Sequence, residues 1–244
     1  MTYQFNGIDR GDYSGDTVSS AGDVTGDGID DLIIGARLAD PNGDYGAGES
    51  YLISGADLAA LDNATANGGT AGDGVIELAD VAAIGTSYQF NGSDAYDYSG
   101  SSVSSAGDVT GDGVDDLIIG AYRADPNGDN RAGESYLISG ADLAALDNAT
   151  ANGGTAGDGI IELADVAGIG TSYQFNGINA GDQSGVSVSS AGDVTGDDVA
   201  DLIIGASGVD RNGDAGVGGG YLISGADLAA CRVELRQSTR SVLS

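Results

Sequence analysis

The sequence predicts an all-β protein assembled from repeated sheets. Three observations carry that expectation. One pentapeptide, Tyr3-Gln4-Phe5-Asn6-Gly7, returns as Tyr88 to Gly92 and as Tyr173 to Gly177, a period of 85 residues. Apolar residues within each unit come as short alternations or compact runs, not at helical spacing. Gly and Asp, the residues of tight turns, separate those runs. A unit of this kind buries one face only against its neighbours, so the units should stack.

Taken in order, Tyr3-Gln4-Phe5 alternates and Thr17-Val18-Ser19-Ser20-Ala21 is short and β-compatible. Leu32-Ile33-Ile34-Gly35-Ala36 is a continuous apolar run of the kind a strand buried on both faces shows. Ser50 to Gly55 is the fourth candidate strand. Asp57 is a candidate N-cap for one helical turn over Leu58 to Leu61. Asp62 to Gly74 reads as a connection, and Ile76 to Val81 as either a short strand or a helical turn. Four short strands per unit, repeated along the chain, predict β-propeller blades. The units are 1–87, 88–172 and an incomplete 173–230, followed by an off-pattern tail at 231–244 that holds the sole Cys and three of the eight Arg.

Composition narrows the chemistry. The chain of 244 residues has a formal net charge of −30, with 38 Asp plus Glu against eight basic residues, all Arg. A polyanion would be repelled, so nucleic acid is not an expected partner. The absence of His removes a His general base and an imidazole metal site. A single Cys excludes an internal disulfide framework. No apolar run reaches eighteen residues, so membrane insertion is not expected. The N-terminus lacks the basic and apolar segments of a secretory signal peptide, which suggests a fragment of a longer protein.

The acidic residues point to hard cations and oxygen ligands. Asp23, Thr25, Asp27 and Asp31 place oxygen side chains at positions 1, 3, 5 and 9 of a loop, with the Ile29 carbonyl available at position 7. Ca²⁺ takes six to eight oxygens at about 2.3–2.6 Å, which such alternation can supply. The loop recurs as Asp108, Thr110, Asp112, Val114 and Asp116, and as Asp193, Thr195, Asp197, Val199 and Asp201. Three carboxylates converging on one point would repel without a cation. In the third loop Asp198 replaces the position-6 Gly and Ala200 replaces an Asp, so weaker binding is expected there. Asp40 to Asp44 and its repeats also alternate oxygens, but a hairpin turn is the favoured reading. Tyr13 and Tyr98, near loops, read as packing residues in preference to sugar platforms.

Residues 102–121, Ser-Val-Ser-Ser-Ala-Gly-Asp-Val-Thr-Gly-Asp-Gly-Val-Asp-Asp-Leu-Ile-Ile-Gly-Ala, resemble an FG-GAP repeat, the blade unit of the integrin alpha-chain propeller and of many bacterial surface proteins. The resemblance covers all three units. Two features depart from it: Phe-Asn-Gly stands where Phe-Gly is usual, and no Pro follows Gly-Ala. It implies that the loop joins strands one and two of a blade and holds Ca²⁺. The Tyr-Gln-Phe-Asn segment is then strand four of the preceding blade. Tyr3 to Asn6 becomes a strand four without a blade, available to complete the third, and two chains joined into six blades form a further option. The implied function is a non-catalytic, calcium-stabilised module outside the cell or at its surface, serving adhesion or binding a protein or glycan. An accessory propeller of a larger secreted hydrolase or toxin, or a structural spacer, is the alternative.

Overall fold

The computed structural model describes residues 2–211 and 214–231. The chain runs β1 (Gln4–Asn6), β2 (Thr17–Gly22), β3 (Asp31–Ala36), β4 (Glu49–Ile53), α1 (Leu58–Asp62), β5 (Val75–Glu77) and β6 (Tyr88–Asn91) through the first unit. The second repeats this as β7 (Ser102–Gly107), β8 (Asp116–Ala121), β9 (Glu134–Ser139), α2 (Leu143–Asp147), β10 (Ile160–Glu162) and β11 (Tyr173–Asn176). The third has β12 (Ser184–Gly192), β13 (Asp201–Ala206), β14 (Gly219–Ile223) and α3 (Gly225–Cys231). The described residues are all-β apart from these short helices and 3-10 turns.

Each complete blade is an antiparallel meander offset from the sequence repeat, with order β2-β3-β4-β6 in the first and β7-β8-β9-β11 in the second. The third holds β12-β13-β14. No sheet closes on itself among the described residues. The Leu-Ile-Ile run forms the second strand of each blade, and its residues pack at the junctions between successive blades. Leu52 and Ile33 of the first blade pack with Leu117, Ile119 and Tyr136 of the second. Ile118 and Leu137 then pack with Leu202 and Ile204 of the third.

One pairing is not expressed in the local pattern. β10 adds to the outer edge of β6 in parallel, pairing Ile161 with Phe90, so each unit reaches back to the fourth strand of the blade before it. β5 makes the same parallel pairing with β1, Ile76 opposite Phe5. β1 lies on β5 in the place β6 occupies on β10, and among the described residues it does not pair with the third blade, so the option that it completes that blade within the chain is not realised. The segment Ile76 to Val81 resolves into both alternatives, the strand β5 followed by a 3-10 turn at Leu78–Ala83. Asp57 does stand at the N-cap position of α1, but its side chain makes no cap bond there. It accepts instead from the Thr86 amide and the Ser87 hydroxyl, tying the helix to the approach of β6.

Candidate metal centre

All three acidic loops lie at one end of their blades, between the first and second strands. The three loops share one hydrogen-bond scheme. In the first, the Asp23 carboxylate accepts from the Asp27 and Gly28 amides at 2.9 Å each. Asp27 accepts from the Ile29 amide on one oxygen, and from Thr25 Oγ1 and Ser54 Oγ on the other. Asp31 accepts from the Thr25 amide at 2.9 Å and the Gly55 amide at 3.0 Å. Asp108, Thr110, Asp112, Val114 and Asp116 repeat the set. So do Asp193, Thr195, Asp197, Val199 and Asp201. Tight turning is met by Gly28 and Gly113 at φ 87° and 91°; Asp198 takes the same left-handed region at φ 68°, a conformation that costs a side-chain-bearing residue more than Gly.

The position-nine carboxylate is fully buried in every loop: Asp31, Asp116 and Asp201 each have no exposed surface. Burial pushes Asp116 up to about 7; the Thr110 and Gly140 amides counter this, while Asp112 and Asp108 add repulsion. Asp31 is raised for the same first reason. At Asp201 burial also raises the pKa, but donors from Thr195, Gly225 and Val194 outweigh it and leave the group below its ordinary value. Asp27 is lowered, chiefly by the Ser54 hydroxyl.

The predicted convergence of three carboxylates takes a looser form. Among the described residues no three acidic groups close on one point as a preformed cage. The Thr hydroxyl and backbone amides stand between them and neutralise part of the repulsion. The donor set nevertheless fits a hard cation. It consists of carboxylate and hydroxyl oxygens, and a carboxylate with two or three donors retains acceptor capacity. The amides of Ile29, Val114 and Val199 are engaged by the position-five Asp, which anchors the backbone whose carbonyls would be ligands.

Two contributors were missed from the sequence. The Ser-Gly-Ala-Asp that follows the third strand of every unit closes the loop: its Ser donates to the position-five Asp and its Gly amide to the position-nine Asp. Gly140 is required by approach, since a Cβ there would lie 2.5 Å from the backbone oxygens of both Asp115 and Val24. The triplicated Ser-Gly-Ala-Asp was the available signal. The second contributor is Asp115, whose carboxylate accepts from the Asp23 amide at 3.0 Å and so links the loops of two blades. Ala200 occupies the equivalent position in the third loop.

The other singled-out segments form turns and packing contacts. Asp40 to Asp44 and Asp125 to Asp129 are turns joining the second and third strands, with Asp40 accepting from the Gly46 amide and Asp125 from the Arg131 amide. The Tyr98 ring lies beneath Arg123, its centroid 4.5 Å from the guanidinium carbon, and the centroid of the exposed Tyr13 ring lies 5.4 Å from that of Arg37. Cys231 ends α3, and the rest of the tail lies outside the described residues.

Successive four-stranded blades, each carrying an acidic loop between its first two strands, define a repeat protein of propeller-like blades. The FG-GAP repeat model matches residues 11–53 and 99–138, which hold the first three strands of blades one and two. The chain carries FG-GAP repeats. The third unit, though it folds on the same plan, lies outside the matched residues. A comparison with curated proteins gave no match.

Proposed function

We propose that this chain is a calcium-binding, non-catalytic β-propeller module of an extracellular or cell-surface protein, presenting loops to a protein or glycan. The observation that carries this reading is the position-nine carboxylate. It is buried without exposure in three separate blades, beside two further acidic side chains each time. Placing anionic groups in that setting is costly unless a cation or donors compensate. In this reading Asp23, Thr25, Asp27 and Asp31 and their two repeats supply side-chain oxygens, and Ile29, Val114 and Val199 supply carbonyls. The ion would tie the first two strands together and relieve their repulsion.

Calcium affinity of extracellular modules falls at about 10⁻⁴–10⁻³ M, which suits a site filled outside cells. At the opposite end of the blades, a polar cleft lined by Asn42, Asp44, Ser93, Asp94, Asn152 and Glu162 offers donors and acceptors to a hydroxyl-rich or amide-bearing ligand. No helix among the described residues is long and apolar enough to cross a membrane.

Thermal melting with millimolar calcium and with excess EDTA tests the proposal. The expected result is a lower melting temperature in EDTA, restored by calcium but not by magnesium. Identical melts under all three conditions would overturn it.

A further inference from the structure

The two outward faces of the blade stack are halves of an interface the chain already makes internally. The junction between the first two blades is one apolar cluster. Ala21, Val24, Ile33, Leu52 and Phe90 come from the preceding blade; Leu117, Ile119, Tyr136, Ile138 and Ile161 come from the following unit. At the N-terminal face Ile34, Tyr51, Ile53 and Ile76 repeat the following half, with Phe5 in the place of Phe90. The other four residues of the preceding half have no equivalents in that cluster.

Those four stand at the opposite end of the molecule. Ala191, Val194, Ile203 and Leu222 of the third blade correspond to Ala21, Val24, Ile33 and Leu52. Val194, Ile203 and Leu222 are 59%, 45% and 52% exposed, whereas their counterparts in the first two blades have no exposed surface. The N-terminal face shows the converse: Val18 is 66% exposed, while Val103 and Val188 are 7% and 5%.

The backbone edges match in the same way. Among the described residues β14 pairs only with β13, and β1 only with β5. Inside the chain the third strand takes a Tyr-Gln-Phe-Asn strand antiparallel, with Glu49 opposite Asn91 and Tyr51 opposite Gln89, and Glu134 opposite Asn176 in the next blade. Applied to the two open edges, that register sets Gly219 opposite Asn6, Gly220 opposite Phe5 and Tyr221 opposite Gln4.

We propose that two copies of this chain associate head to tail, the third blade of each receiving β1 and the N-terminal face of the other. The occupant is a second copy because the contact is the internal blade–blade junction, residue for residue. A heterologous contact either closes into a ring or grows indefinitely. Two copies bring together six blades, within the roughly four to eight of closed propellers, so the assembly stops at a dimer. This inference goes beyond calcium binding and does not depend on it.

Light scattering on the full chain, with Val18→Asp and Leu222→Asp, tests it. Both positions are exposed, so each variant should keep the wild-type circular dichroism. Wild type is expected at twice the 23.9 kDa chain mass. Each variant alone loses both junctions and runs at the chain mass. An equimolar mixture keeps one intact junction, Val18 of one variant against Leu222 of the other, and recovers a one-to-one dimer. A wild type of single-chain mass, growth beyond two copies, or a mixture in which both variants remain monomeric would overturn the proposal.

Discussion

The middle and last blades share a plan and nearly a sequence, yet they sit in different surroundings. Leu137 in β9 and Leu222 in β14 are the same residue of the repeat. The first is fully buried between blades and the second is half exposed. Asp116 and Asp201 are the same carboxylate, but the first is raised to about 7 and the second lies below its ordinary value. A blade's properties therefore come as much from what lies against it as from its own residues, which is how stacked-repeat stability behaves.

The largest expected effect follows from the leucines. Leu137→Ala should cost about 2–5 kcal/mol, the range for a buried leucine that leaves a cavity. Leu222→Ala in monomeric protein should cost less than about 0.5 kcal/mol, as surface substitutions do. Urea denaturation measures both, using the Val18→Asp background to hold the chain monomeric for the comparison. Equal costs would break the distinction between the two blades.

A second effect concerns pH. Burial, followed by repulsion from Glu134, Asp94 and Asp125, pushes Asp97 from its ordinary 3.8 up to about 7. Between those values the folded chain holds a proton that the unfolded chain releases. Stability from this group is therefore present at low pH and lost as pH rises from about 4 to about 7. Calcium-free protein should melt higher at pH 5 than at pH 7.5, and Asp97→Asn should shrink that difference. A difference unchanged by the substitution would contradict the assignment.

The smallest expected effect concerns the link between loops. Asp115→Ala removes the acceptor for the Asp23 amide and should cost about 1 kcal/mol, the net value of one such hydrogen bond. Asp30 holds the same position in the first loop and is exposed. Asp30→Ala should change stability by less than about 0.5 kcal/mol. Paired denaturation curves decide whether the bond between blades separates these two aspartates.

The strand order within a blade was legible because strand identity is local. Alternation at Tyr88 to Asn91 and the Leu-Ile-Ile run mark strands without knowledge of their partners. The parallel pairing of β10 with β6 was not legible. It joins a three-residue strand to a four-residue strand some seventy residues earlier, and neither the apolar pair Ile160-Ile161 nor the Glu162 beside it names a partner. The acidic loops were readable from oxygen spacing, and their order of residues is retained in all three blades. Their closure by Ser54 and Gly55 was missed because both residues look like the end of a strand and only the fold brings them beside Asp27 and Asp31. Asp57 shows the same limit: its N-cap position was visible, and its bonds to Thr86 and Ser87 were not.

The central claim is that the three acidic loops are cation sites of graded strength. Isothermal titration of calcium into chelator-stripped protein tests it most directly. The account predicts three sites per chain, two of similar affinity and a weaker third that disappears in Asp201→Asn. Heats indistinguishable from dilution up to millimolar calcium, or a third site as tight as the others, would contradict it.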